Sequence, residues 1–413
     1  MPRRSTSDSI HRWQFRARLR RAAFGWRGSR AAIARIDEAV AEIHAAARHD
    51  PALGAEGAVL FLEKISPAVC EVDSSSGALG NATYHAVDAL VPIIAAAAVP
   101  EAMRSKWLDR LFAALQDEDP PYIEWLGERW GDVCVTPAIA SRWADHLLPL
   151  VKHAAADRRR GVFAFARGTS ACYSALFKAG RHDELLELLA SDQHPIWPDA
   201  VWGGRVLLGR GQVDEATAYM ERRSGFNVPR VALARFAEDA LLGEGRRTEA
   251  YARYAIAANQ GNSRIATYRA LRRKYPEIDA DRLLADLIAS TPGEEGKWFA
   301  TAKSLKRFDL ALALARQSPC DPKTLTRAAR DHLESHPEFA AEAALAALHW
   351  IAHGYGYEVT GADVAQAQRL ATEAAARCGR TEQIRSRVEA MLAGDGAAVK
   401  WMIEMLGVRG LVA

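Results

Sequence analysis

"GRGQVDEATAYMERR", residues 209–223, is the stretch that decides how the chain is read. Gly211 is followed by an acid pair, Asp214 and Glu215, and then by Ala216 on an apolar stripe. The same punctuation recurs in "GRHDELLELL" from Gly180, "GRRTEAYARYA" from Gly245, "KRFDLALALA" from Lys306 and "GRTEQIRSRV" from Gly379. Glycine lets one helix end in a left-handed conformation. An acid then sits favourably at the N-terminus of the next helix. A small residue behind it allows the two helices to approach closely. The turn positions are separated by 31, 34, 61 and 73 residues, and the last two are close to two units each. A period of about 34 is that of tetratricopeptide-like helix pairs. The third unit fits best, with Ala250, Tyr254 and Ala257 at small, large and small positions. No pair can bury its stripe alone, so pairs must stack.

Composition agrees with this reading. The 413 residues are 49% hydrophobic and 25% charged, the proportions of an ordinary globular chain. Alanine, the best helix former, is abundant and β-branched runs are scarce. Cys70, Cys134, Cys172, Cys320 and Cys378 are widely spaced, with no CxxC pair, which argues against a disulfide framework or a structural zinc site. The longest apolar stretch, residues 89–99, contains Pro92 and falls well short of the about twenty residues a spanning helix needs. Arg16, Arg18, Arg20 and Arg21 occupy the place where a signal peptide would carry its apolar region. A cytoplasmic location with no membrane association is the expectation.

Along the first part of the chain, a helix is expected over 9–24, begun by Ser9 and stopped near Gly25. Ile10, Trp13 and Phe24 fall on one side of it; Phe15, Leu19, Ala22 and Trp26 fall nearly opposite. Further helices are expected over 30–48, 54–70, 76–98 and 101–116, then one holding Ile123, Leu126 and Trp130. Thr136 as N-cap and Pro137 at the first helical position start the next. No segment alternates with period two. The chain therefore reads as all-α, an α-solenoid of stacked antiparallel helix pairs. Its expected parts are a basic arm over 1–35, a helical N-terminal domain over 36–158, and a tetratricopeptide-like domain over 159–413.

"LLADLIASTPGEEGKWFATAK", "SPCDPKTLTRAARD" and "ALHWIAHGYGYEVTGADV", within residues 283–364, resemble segments of an uncharacterised bacterial family of helical-repeat proteins, a domain of unknown function. The resemblance implies a helical solenoid and supplies no catalytic residues. Similar helical regions accompany SWIM-type zinc fingers in bacteria. The CxC…CxH ligand set of that finger is absent from this chain, so its nucleic-acid association does not carry over.

Few motifs point to chemistry. "PGEEGKWF", residues 292–299, lacks the spacing and the Ser or Thr of a phosphate-binding P-loop and reads as a helix N-terminus. His332/His336 and His349/His353 are HxxxH pairs, but a catalytic zinc needs three converging ligands and the pairs diverge. No GxSxG elbow exists. Trp107, Trp125, Trp130 and Trp143 read either as an aromatic groove or, more plainly, as packing between large helices. No catalytic, cofactor or metal residues are therefore expected.

Two features point to binding. In "HGYGYEVTGADV", Gly354 and Gly356 can take positive φ, Tyr355 and Tyr357 project from a loop, and Thr360 caps the next helix. This loop is a candidate ligand edge; otherwise its tyrosines pack on neighbours. Residues 1–35 hold ten arginines against one acid, Asp8, in a chain of net charge +3, which leaves −6 for the rest. Arg12, Arg16, Arg18, Arg20 and Arg21 suit phosphates, and Trp13 and Phe15 suit stacking on bases. Alternatively the arm lies on the acidic body. The leading expectation is a non-enzymatic scaffold or adaptor that holds a protein or peptide partner on a concave helical-repeat surface. The runner-up is nucleic-acid binding through the arm.

Overall fold

The computed structural model describes residues 11–162, 164–191, 196–223 and 230–407, and every regular element among them is helical. The chain divides into two compact units, residues 1–229 and 230–413.

The first unit runs through α1 (Ser29–His49), α2 (Pro51–Val69), α3 (Ala78–Ala96), α4 (Glu101–Asp117), α5 (Pro137–Arg159), α6 (Thr169–Lys178), α7 (His182–Ser191), α8 (Trp197–Gly209) and α9 (Val213–Arg222). Most neighbours in sequence pack against each other, and α4 packs against α2. The starts are chemically marked. Asp50 accepts the amides of Ala52 and Leu53 with Pro51 at the first position. Thr136 accepts the Ile139 amide at 3.3 Å ahead of Pro137, the cap expected from the sequence. At the end of α3, the buried Arg104 donates to the carbonyls of Ile94 (2.9 Å) and Ala97 (2.5 Å). Carbonyls there have no intrahelical partner, so a buried guanidinium substitutes for water.

The second unit comprises α10 (Arg230–Gly243), α11 (Arg247–Ala250, continued through a π-turn Tyr251–Ala255 into Ile256–Ala258), α12 (Arg264–Lys274), α13 (Ala280–Ala289), α14 (Phe299–Ser304), α15 (Phe308–Gln317), α16 (Pro322–His332), α17 (Pro337–Ala352), α18 (Gly361–Arg377), α19 (Thr381–Leu392) and α20 (Ala397–Leu406). Helix α17 is its centre. It packs against α15, α16, α18, α19 and α20, and twelve of its sixteen residues are buried. A fully buried carboxylate, Glu238, joins three of the other helices. It accepts from Asn259 Nδ2, Lys274 Nζ and Tyr275 OH, each at 2.7 Å. A charge out of water needs such a set of donors.

The five recurring turns share one geometry. Gly180, Gly211 and Gly245 have φ of 74°, Gly379 has 71°, and Lys306 has 60°. After each, the next amide reaches back to the carbonyl five residues earlier: Arg181 to Leu176 and Gln212 to Leu207 at 3.0 Å, Arg246 to Leu241 and Arg307 to Ala302 at 2.9 Å, Arg380 to Ala375 at 2.8 Å. This is the Schellman closure, which satisfies an end carbonyl and reverses the chain. Five residues after each left-handed position lies a buried side chain: Leu185, Ala216, Ala250, Ala311 and Ile384. One element of the expected pattern fails. Ala257 is exposed and Ala258 is buried in its place. The π-turn at Tyr251–Ala255 inserts one residue into the helix and rotates everything after it.

Two further expectations are corrected. The expected helix over 9–24 is not continuous among the described residues; Ser9 and Ile10 lie outside them. Only Phe15–Arg18 is α-helical, followed by a 3₁₀ turn at Arg21–Ala23, with Arg20 extended between them. A continuous helix would have placed its large apolar residues on opposite sides. Breaking it lets Trp13, Phe15, Leu19 and Phe24 all enter the core of the first unit. Glu42 accepts the amides of Gln14 (2.7 Å) and Phe15 (3.0 Å), and Gly57 leaves the slot for Trp13, since a Cβ there would lie 2.3 Å from the indole. Likewise, the single helix expected around Ile123, Leu126 and Trp130 is two short pieces, Trp125–Glu128 and Trp130–Cys134. The Ser174 hydroxyl on α6 donates to the Glu128 carbonyl and accepts from the Gly131 amide, both at 2.9 Å. Backbone groups that a helix would pair internally are paired across the interface.

Three substitutions test these assignments in thermal or urea unfolding. Ala250→Leu overfills a fully buried contact and should cost about 1–3 kcal/mol. Lys306→Gly relieves a left-handed non-glycine residue and should stabilise by up to about 1 kcal/mol; a loss there would mean that the turn is not left-handed. Phe15→Ala should cost about 3–5 kcal/mol, whereas an unchanged melt would show that the arm is not part of the core.

Candidate functional site

The residues expected to bind fall in different units of the chain. Arg12, Arg16, Arg18, Arg20 and Arg21 belong to the first unit, Tyr355 and Tyr357 to the second. In the arm, Arg18 pairs with Glu38 (2.9 Å) and Arg21 with Glu71 (2.5 Å). Arg12, Arg16 and Arg20 are exposed, with no ion pair among the described residues. Trp13 and Phe15, expected to stack on bases, are buried instead. In the loop, Gly354 and Gly356 do take positive φ (77° and 118°), and Thr360 forms a capping box with Asp363. Tyr355 leans on Trp350, with ring centroids 5.2 Å apart, while Tyr357 is 81% exposed.

The other sequence candidates serve structure. Trp130 stacks edge-on against Trp143 at 4.9 Å, and Phe112 joins both. Trp107 donates to Glu56 and Trp125 to Asp88. Gly296, in "PGEEGKWF", is pressed against the Ser318 and Pro319 carbonyls, and its amide donates to Ser318 Oγ at 2.8 Å. His332 and His336 pack on Phe308. Among the described residues, no three His, Cys, Asp or Glu side chains are grouped to hold a metal, and no helix is long and apolar enough to cross a membrane. Burial pushes the thiols of Cys134, Cys172 and Cys320 up to about 12, which keeps them protonated and poor nucleophiles.

Each unit has a concave site lined by both charged and apolar side chains. The first, in the first unit, is a cavity of about 510 Å³ walled by Trp125, Phe177 and Trp202, with Arg129, Lys178, Arg205, Glu128 and Asp132 around it. Arg129 is committed to Asp88 and Asp132, at 2.8 and 2.7 Å. Arg205 lies over the Trp202 ring at 4.6 Å. Burial pushes Glu128 up to about 7, against the pull of Arg205 and with the help of Glu124.

The second site is a groove of about 630 Å³ in the second unit. Its floor is one face of α17, presented by Glu342, Leu345, Ala346, His349, Ala352 and His353. Ala315 and Arg316 of α15 form one wall; Arg387, Ala390 and Met391 of α19, with Val399 of α20, form the other. The Trp350 indole donates to the Ala315 carbonyl at 2.7 Å and fixes the spacing of α15 from α17. Glu342 is nearly buried and accepts from Arg316 (2.7 Å), Arg387 (2.7 Å) and Arg380 (3.3 Å). Burial raises its pKa, but the bonds from Arg387 and Arg316 outweigh this and hold it below the usual carboxylate range. Three guanidinium groups on one carboxylate leave a local excess of positive charge. His349 and His353 sit at the far end with rings 4.2 Å apart, and burial lowers the pKa of His349. Sequence reasoning saw the histidines but missed the site. Arg316, Arg387 and Glu342 are distant in sequence and meet only because α15 and α19 flank α17.

The Glu128 cavity yields a pH test. Glu128 has an ordinary value of 4.5 and titrates near 7 when folded, so the folded chain holds an extra proton between those values. Stability contributed by the protonated form is present below pH 4.5 and lost as pH rises through about 7. Glu128→Gln should therefore raise stability at pH 8 by about 1 kcal/mol after allowance for solvent screening, seen as a higher melting temperature, and leave it nearly unchanged at pH 4.5. Equal effects at both values would place the Glu128 carboxyl in water. No family model and no curated protein matches this chain.

Proposed function

We propose that this protein is a non-enzymatic, tetratricopeptide-like scaffold that holds a segment of a partner protein in the groove along α17. The observation that carries the reading is the groove itself. Arg316 of α15 and Arg387 of α19 stand on either side of α17, and Ala352, Ala390 and Met391 give the groove between them a partly exposed apolar lining. An uncovered, partly apolar face rimmed by polar groups is the signature of an interaction site. The nucleic-acid reading draws on Arg12, Arg16 and Arg20, exposed arginines of the arm with no ion pair among the described residues. It requires affinity that falls steeply with salt and is lost when these three become alanine.

The scaffold reading is tested in the native host with a photo-crosslinking residue at Ala390, an exposed groove position, and separately at Arg385 on the same helix. We expect a discrete protein adduct from position 390 and none from 385. Adducts of equal yield from both, or from neither, would remove the groove as the binding surface.

A further inference from the structure

We infer that the groove along α17 takes an extended acidic peptide segment, with a carboxylate of the segment held by Arg316 and Arg387 and its apolar side chains lying on Ala352, Ala390 and Met391. This rests on the scaffold reading above and names the partner chemistry.

The electrostatics of the lining set the sign of the charge. Glu342 is its one carboxylate, and it lies beneath the arginines, 8% exposed, while Arg316 and Arg387 have side chains 57% and 44% exposed. Each donates to Glu342 through a single Nη, at 2.7 Å. A guanidinium carries five N–H donors in a planar fork. Most of each fork therefore remains available on the open side, already oriented by the carboxylate below. Arg380 adds a third positive charge while bonding Gln383 through its Nε at 2.7 Å. A second carboxylate arriving from solvent would be held between two pre-positioned forks, the arrangement that favours arginine over lysine at carboxylate sites. A basic segment would meet repulsion at the same place.

The dimensions set the shape. From Glu342 to His353 the floor spans eleven residues of α17, about 16 Å at 1.5 Å per residue. That is the length of about five residues of extended chain at about 3.3 Å each. Leu345 and Ala346 are buried beneath the groove, and its accessible apolar lining is Ala352 at the end of α17 with Ala390 and Met391 of α19. An acidic residue at the Arg316 end followed by leucine-like residues matches this order.

The test pans a random heptapeptide phage library against the full chain. Recovered peptides are resynthesised with fluorescein and titrated by anisotropy against wild type, the Arg316→Ala/Arg387→Ala double variant, and Ala390→Glu. The last adds a negative charge at an exposed position and leaves the Glu342 cluster intact, so it guards against a double variant that fails to fold. We expect net-negative peptides containing leucine or similar residues, weakened at least about tenfold by either variant and progressively by salt. Neutral or basic peptides that still depend on Ala390 would overturn the acidic assignment and leave the scaffold reading standing. Peptides indifferent to all three positions would overturn both.

Discussion

The amide that reaches back five residues across each left-handed turn is the interaction on which the helix pairs depend. It closes the first helix, reverses the chain and fixes the rotational phase of the second, so that the residue five positions after the turn points inward in all five cases. Four of the turns use glycine, for which φ near 70° carries no steric penalty. The fifth places Lys306 there and still forms the same bond, Arg307 to Ala302. Tertiary packing on both sides of the turn outweighs the local cost. The arginine that follows the turn adds a second fastening in two cases, where Arg181 and Arg246 pair with Glu184 and Glu249 three residues on.

Within the second unit this closure creates the groove. The pair α16–α17 is flanked by α14–α15 on one side and α18–α19 on the other, so the second helices of the three pairs, α15, α17 and α19, share one face. Helix α17 is alanine-rich, which lets α16 and α18 approach its other sides closely. Arginines on α15 and α19 arch over the open side, where they would repel one another without Glu342. The carboxylate thus has a structural role, and the same geometry aims the remaining guanidinium donors outward. On the proposed reading, stability and recognition draw on the same few side chains.

The arm shows how a charge count can mislead. Its arginines dominate the sequence, yet the placement of the segment is decided by Trp13, Phe15, Leu19 and Phe24. Four large apolar side chains outweigh exposed arginines, because burying each contributes about 1.5–3 kcal/mol, while an exposed ion pair contributes about 0–1 kcal/mol. Arg18, Arg21 and Arg35 then find acids, and Arg12, Arg16, Arg20, Arg27 and Arg30 remain in solvent.

The sequence by itself determined the all-helical class, the starts at Thr136 and Thr360, the five turns and the burial of Ala250, because capping, left-handed turns and helical periodicity act over five residues or fewer. It could not determine that the helix over 9–24 breaks, since a local pattern with two apolar sides has no preferred solution until a body exists to receive them. Nor could it show that Ala258 replaces Ala257, because the π-turn before them, which packs against α10, shifts the helical phase by one residue without a local sequence mark. The groove was legible only in fragments. Its histidines stood out as a pair, but Arg316, Glu342 and Arg387 carry no sequence signal, being ordinary residues on three different helices. Only the stacking of α15, α17 and α19 brings them within hydrogen-bonding distance, and only the resulting desolvation of Glu342 turns three surface charges into a site.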